Sequence, residues 1–444
     1  MRGSTVPVTL FAFMALVTLA WGAGLLVDPG PMAASLPWRV YDQALYLSGL
    51  LAIALMSLTM LLATRPAWLE ARLGGLDRLY LTHKWAGILA VAFAATHWLV
   101  EMGDDLIKSA FGRQGRLSEP HLSGLMDLLR DAAEDVGEWG IYLALALLLL
   151  TLWRAFPYKA WRYLHRAMPA LYLLLAFHTL WLAPTHWWSQ PQGLLLAILL
   201  SAGSLASVLS LSGRIGRRRR VHGRIITVSE IAPGVTEVVC RLDGWPGHRP
   251  GQFALVTFDR REGAHPFTIA SANQGDGQVR FQIKALGDYT RQLASKLSDG
   301  QAVTVEGPYG CFDFRRATPG TRQIWVAGGI GVTPFLAWLE ALSADPAQAP
   351  HATLHYCTRD AASDPTAARL RELCATLPSI ELRLHDSARG ERLTAEQLLT
   401  DAPTQPGTEL WFCGPSGLAD ALRRGLRQAS HGPLRFHQEA FRLR

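Results

Sequence analysis

The feature that most constrains the fold is a pair of histidines fourteen residues apart, His83 and His97, inside the apolar run Leu81 to Val100. On a helix that spacing is about 21 Å along the axis with a rotation of only about 40°, so both imidazoles lie on one face at two depths. A membrane-crossing helix needs about 20 apolar residues. One ring therefore falls near each side of the hydrocarbon, where an ionisable group signals function. A second apolar run, His165 to Trp181, carries His165 and His178. Thirteen residues leave these two about 140° apart on a straight helix. Pro169 supplies a break, which puts His165 on an irregular entry to the span and His178 within it. A lone histidine near a helix end is ordinarily interfacial. Four of them, paired at opposite depths in two spans, suit two porphyrin irons held one above the other, each between two imidazoles.

Residues 1–212 hold six apolar runs, near 8–27, 44–63, 81–101, 139–153, 168–183 and 193–212, and the rest is an ordinary soluble mixture. The first run lacks a small-residue cleavage site and continues into Asp28-Pro29-Gly30, so a retained helix is expected rather than a signal peptide. Basic residues cluster in alternate loops: Arg65, Arg72, Arg78 and Lys84; Arg154, Lys159, Arg162 and Arg166; then Arg214 and Arg217 to Arg220. These loops are expected in the cytoplasm of a bacterial cell, with both termini inside and the chain crossing the inner membrane several times. His83 and His165 then share an inner site, and His97 and His178 an outer one. The net charge of +7 comes largely from these anchors. Nucleic acid is therefore not an expected partner, and the run Arg217 to Arg220 is expected against anionic lipid headgroups. All five cysteines lie in the soluble half without CxxC or iron–sulfur spacing, which suits a reducing compartment and no cluster.

The fold expected is an α-helical six-span membrane bundle (1–212), a basic linker (213–222), an antiparallel β-barrel (223–318) and a doubly wound α/β domain (319–444). Short β-branched stretches at 224–229, 235–240, 253–258, 279–284 and 303–306 support the barrel. His265-Pro266-Phe267-Thr268 places a flat ring and a hydroxyl on an extended segment. Lys284 to Leu293 runs from a strand into a helix, where free amides favour a phosphate. The run Gln323 to Ala327 reads as a buried parallel strand, and Gly328-Gly329-Ile330-Gly331-Val332-Thr333 leads into a helix through Leu342. Glycines there let a backbone approach a pyrophosphate, although the GxGxxG spacing is not met. Arg359 follows the next strand, where it can clamp a ribose 2′-phosphate and favour NADPH over NADH.

Across all three modules the chain resembles the NADPH oxidase and ferric reductase superfamily. The shared features are the histidine spacings of fourteen and thirteen, the motifs HPFTIAS and GGIGVTP, and Cys413-Gly414-Pro415. The resemblance implies two haem b groups on His83, His97, His165 and His178, and an FAD-binding barrel followed by a nicotinamide-nucleotide domain. By the same resemblance Pro266 and Phe267 pack at the flavin, Thr268 bonds its reactive edge, and His265, Lys284 and Thr290 hold FAD phosphates. Gly328, Gly329, Gly331 and Thr333 hold the dinucleotide. Cys413, Gly414 and Pro415 lie beside the nicotinamide, and Phe441 shields the flavin, with Arg442-Leu443-Arg444 following it here in place of a chain end.

The reaction implied is transfer of electrons from cytosolic NADPH, or NADH, to an acceptor on the far side. Superoxide-forming relatives tend to carry a basic or histidine residue one turn past the outer ligand, and here Glu101 stands there. With Asp104, Asp105, Glu134 and Asp135 it favours a cationic acceptor, so a ferric chelate is expected ahead of oxygen. A third reading is an electron-donor subunit for a periplasmic redox protein. A transporter would need a polar path beyond the histidines, and the sequence shows none.

Overall fold

The structure is a computed structural model of the 444-residue chain, and residues 5–117, 124–153, 155–401, 408–429 and 435–438 are described. The chain forms two compact units. One is Ser4–Leu73 with Arg78–Ile215, and the other is Gly216–Arg444 with the short segment Gly74–Asp77.

The first unit is helical. Among the described residues, five helices are long and apolar enough to cross a membrane: Thr5–Val27, Leu36–Ala63, Leu76–Met102, Leu125–Leu152 and Pro191–Leu211. The fifth apolar run forms Met168–Leu182, which at 15 residues is shorter than a full span. Its start is set by Pro169, tolerated in a first turn where its missing amide costs no hydrogen bond. The residues before it fold as a separate short helix, Tyr158–His165. Val17, Leu50, Ile53, Tyr172, Leu196 and Leu200 are among the side chains that fill the common core.

The second unit contains two sheets. The antiparallel one has β1 (Arg220–Ala232), β2 (Val235–Leu242), β3 (Phe253–Thr257), β4 (His265–Thr268), β5 (Gln278–Lys284) and β6 (Ala302–Tyr309) in the order β4-β3-β6-β1-β2-β5. Alternation drives it: Val238, Cys240 and Leu242 point inward from β2, as Val279, Phe281 and Ile283 do from β5. A bridge between Ile269, just after β4, and Phe281 of β5 links the two ends of the strand order.

The linker is not a free tether. Arg217–Arg219 make a short 3-10 turn and β1 begins at Arg220. Glu306 of β6, buried, explains why: a carboxylate out of water needs a partner, and Arg220 supplies it at 2.8 Å with Tyr309 Oη donating at 2.7 Å. Arg219 lies over the Tyr309 ring, 4.7 Å from its centroid. Two of the four arginines expected at lipid headgroups thus face the sheet, and Arg217 and Arg218 stay exposed.

The second sheet is parallel throughout, with β7 (Gln323–Gly328), β8 (Ala352–Thr358), β9 (Ile380–Asp386), β10 (Glu409–Cys413) and β11 (Arg435–Gln438) in the order β11-β10-β7-β8-β9. Helices Thr333–Ala344, Pro365–Ala375 and Ser416–Ala429 lie between consecutive strands in the chain. The winding reverses between β7 and β10, and ligands of such sheets bind outside the strand ends at that switch point. Arg280 of β5 pairs with Glu340 of the Thr333–Ala344 helix at 2.8 Å, and Glu340 also accepts from the Ala272 amide at 3.2 Å, tying the sheets together.

Candidate functional site

The four histidines meet in two couples, each drawn from different helices. His83 of Leu76–Met102 and His165 at the end of Tyr158–His165 have ring centroids 6.1 Å apart with planes at 75°. His97 and His178 of Met168–Leu182 have centroids 6.4 Å apart at 88°. An iron bonded at about 2 Å to one nitrogen of each ring would hold the centroids about 6 Å apart, so the spacing fits. The hydrogen bonds fit too. Nδ1 donates to a backbone carbonyl in three of the rings: His83 to Thr59 at 3.0 Å, His97 to Leu45 at 2.9 Å and His178 to Ala133 at 2.7 Å. Each such bond fixes the tautomer that leaves the Nε2 lone pair for a metal. The fourth differs, because His165 Nδ1 is buried without a partner among the described residues.

Room for two of the rings comes from glycine. A Cβ on Gly49 would stand 2.9 Å from His97 Nδ1, and one on Gly137 would stand 2.4 Å from His178 Cε1. Both glycines are on neighbouring helices, so no spacing in the sequence announces them.

In the antiparallel sheet, His265, Pro266, Phe267 and Thr268 form β4 beside β3, with Thr268 buried. Phe267 lies 6.2 Å from Phe258 and 6.4 Å from His265, and His265 stacks on Tyr289 at 4.4 Å and 17°. Tyr289 is the residue that sequence reasoning passed over. Burial first, then Asp259 and Glu262, push its phenol up to about 12, and its hydroxyl is buried without a partner among the described residues. A ring stack ending in an orphaned donor fits a flat polar cofactor such as FAD. Thr290 Oγ1 accepts from the amides of Leu286 and Gly287 at 2.9 and 3.0 Å, so two of the amides expected for a phosphate are already engaged.

At the switch point the two expected nucleotide segments come together. A Cβ on Gly331 would stand 2.3 Å from the Cys413 carbonyl oxygen and one on Gly328 2.7 Å from Pro415 Cδ, while Gly414 packs on Gly328. Only glycine allows this approach. Thr333 is buried at the start of its helix, its hydroxyl donating to the Ile330 carbonyl at 3.2 Å. Lys284 Nζ lies 4.0 Å from the Cβ position of Gly329, which brings the end of β5 to the same crevice. Cys413 is buried at the end of β10, and Arg359 is exposed just past β8. Phe441 lies outside the described residues.

Glu101 is exposed near the end of the Leu76–Met102 helix. The acidic residues expected around it are partly neutralised: Asp104 pairs with Lys108 and, at 3.6 Å, Arg116; Asp105 meets Lys108 at 3.3 Å and Glu134 meets Arg130 at 3.1 Å.

Comparison with known proteins gives two family matches. Residues 48–176 match the "Ferric reductase like transmembrane component" and residues 238–312 an "FAD-binding domain". The carnitine monooxygenase reductase subunit of Escherichia coli is 31% identical over 167 residues, 37% of this chain and 48% of that protein. The beta subunit of the heme-dependent oxidative N-demethylase of Ectopseudomonas mendocina is 31% identical over 223 residues, 49% of this chain and 68% of its own length. This chain therefore spans about half of the first relative and two thirds of the second. Among solved structures, the Amycolatopsis cytochrome P450 reductase GcoB overlaps 50% of this chain and 70% of its own at 20% identity, with a TM-score of 0.44. The matched segments carry His83, His97, His165 and the HPFT strand, and the chain belongs to the ferric reductase and NADPH oxidase-like oxidoreductases, in which a ferric reductase-like transmembrane domain is fused to a ferredoxin-reductase-like FAD domain.

Proposed function

We propose that the chain is a transmembrane oxidoreductase that takes electrons from NADPH in the cytoplasm and delivers them to an acceptor on the outer face, with FAD and two b-type haems as its cofactors. The observation that carries this reading is the pair of histidine couples with centroids 6.1 and 6.4 Å apart. His83 and His165 would hold the inner haem and His97 and His178 the outer. NADPH supplies a hydride, FAD converts it to single electrons and haem iron carries them when bound.

Placement is the work of the protein. Phe267 and Pro266 give the flavin ring an apolar wall, Thr268 a hydrogen bond, and His265, Lys284 and Thr290 serve the phosphate side. Gly328, Gly329, Gly331 and Thr333 admit the dinucleotide, Gly414 and Pro415 close the crevice with Cys413 at the nicotinamide, and Arg359 meets a 2′-phosphate. No side chain is required as acid or base.

The architecture in this reading has six spans, the fifth being Met168–Leu182 with its preceding turn, and a barrel closed through the Ile269–Phe281 bridge. Domains run 1–212, 223–318 and 319–444. The protein sits in a bacterial inner membrane with both termini inside, and the exposed Arg217 and Arg218 meet anionic lipid.

For the acceptor, Glu101 within electrostatic reach of Asp104, Asp105, Glu134 and Glu138 supports a cation, and a ferric chelate fits best. The test is NADPH consumption by purified, haem-loaded protein with ferric chelate, oxygen or neither. Turnover dependent on the chelate is expected. Dye reduction suppressed by superoxide dismutase would replace iron with oxygen, and turnover that rises only with a periplasmic redox protein would make this an electron-donor subunit.

A further inference from the structure

We propose that Trp161 is the positioning residue for His165, doing for the inner haem ligand what a backbone carbonyl does for the other three. The inference rests on the haem reading above and goes beyond it, because the relevant residue is neither a ligand nor part of any motif. Imidazole bound to iron through Nε2 alone turns about that bond, and a hydrogen bond at Nδ1 ordinarily stops the rotation. His83, His97 and His178 each have that bond, whereas His165 Nδ1 is buried without one among the described residues.

What His165 has instead is a ring against its face. Trp161 stands four residues earlier on the same short helix, hence on the same side, and stacks on His165 with centroids 5.0 Å apart and planes at 24°. The indole is itself fixed. Its Nε1 donates to Thr151 Oγ1 at 3.0 Å, and that hydroxyl donates to the Leu147 carbonyl at 2.7 Å in the Leu125–Leu152 helix. The chain Leu147, Thr151, Trp161, His165 therefore sets the imidazole plane at 75° to His83 from outside the haem. A stack restrains orientation without drawing on the Nδ1 proton, so His165 is also the least electron-rich and most easily displaced of the four ligands.

The experiment compares wild-type protein, W161L, W161F and T151V, all full-length and haem-loaded, by electron paramagnetic resonance of the ferric form and by carbon monoxide binding to the dithionite-reduced form. In the wild type both haems are expected to be low-spin, with nearly crossed imidazole planes and no reaction with carbon monoxide. W161L should keep two haems per chain, shift the low-spin signal of one of them and make that one reactive to carbon monoxide. W161F, which keeps the stack, should stay close to wild type, with T151V shifting the same signal less than W161L does. W161L with wild-type spectra, a change in the outer haem instead, or W161F as disturbed as W161L would each overturn the assignment. A wild-type protein without two bis-imidazole haems would sink the haem reading itself, and this inference with it.

Discussion

Gly137 and His178 occupy facing positions so close that the ring fills the space a side chain would need: a Cβ at 137 would stand 2.4 Å from Cε1. The same ring donates from Nδ1 to the Ala133 carbonyl one turn earlier on the helix that carries Gly137. Forcing a methyl into such a contact typically costs about 1 to 3 kcal/mol. Gly137→Ala is therefore expected to displace the outer ligand and lower haem content from two per chain towards one, leaving flavin reduction by NADPH unchanged. Haem quantification and the flavin absorbance trace check it, and full haem occupancy would remove Gly137 from the outer site.

Gly331 plays the matching part in the soluble unit. Its missing Cβ would stand 2.3 Å from the Cys413 carbonyl and 2.8 Å from Gly414 Cα. Gly331→Ala should push the two nucleotide segments apart and raise the KM for NADPH about tenfold or more, since 1.4 kcal/mol is a factor of ten. Bound FAD should remain stoichiometric. An unchanged KM would show that the crevice between β7 and β10 does not take the nucleotide.

Arg359 stands exposed just past β8, where a guanidinium can form a forked pair with a phosphate. Arg359→Leu is expected to raise the KM for NADPH by about tenfold or more, the equivalent of one lost charged contact, and to leave NADH nearly untouched. Equal changes for both nucleotides would take Arg359 out of the 2′-phosphate site.

Glu409 anchors the last described strand. Its carboxylate, 1% exposed, accepts from the Thr318 amide and hydroxyl at 2.9 Å and meets His437 at 2.8 Å and Arg435 at 3.5 Å. Burial pushes this carboxyl up, but the Thr318 bonds and then His437 more than offset it, leaving it below its ordinary value of 4.5. A depressed folded value means stability that is fully present above pH 4.5 and is lost as pH falls through that lower value. Glu409→Gln should therefore be less stable than wild type by about 1 to 3 kcal/mol at neutral pH, with the difference shrinking on acidification. Thermal unfolding across that range tests it, and a difference independent of pH would contradict it.

Much of this was legible in the chain because its strongest signals are local. A fourteen-residue interval fixes two rings on one helix face, and alternation in β2 and β5 fixes which side chains turn inward. The thirteen-residue interval is resolved by Pro169, which lets His165 end one helix while His178 belongs to the next. Gly49, Gly137, Trp161 and Tyr289 were not legible. For the two glycines and Tyr289 that importance lies in what a neighbour far along the chain presses against them, which no periodicity encodes; Trp161 sits one turn before His165, and what fixes it there is its bond to Thr151 on another helix. The arginine run misled for the same reason: Glu306, 86 residues from Arg220, takes one of the charges assigned to lipid. The strand Arg435–Gln438 was also missed, since it is four residues long and its register depends on Glu409.

The central claim is that reducing power from NADPH reaches iron held between the two histidine-bearing helical segments. Its most direct test is anaerobic reduction of the purified, haem-loaded protein by NADPH, followed at the flavin and Soret bands together. Bleaching of the flavin and then reduction of two low-spin haems per chain is the result expected. A reduced flavin beside haem that stays oxidised, or no Soret band at all, would contradict it.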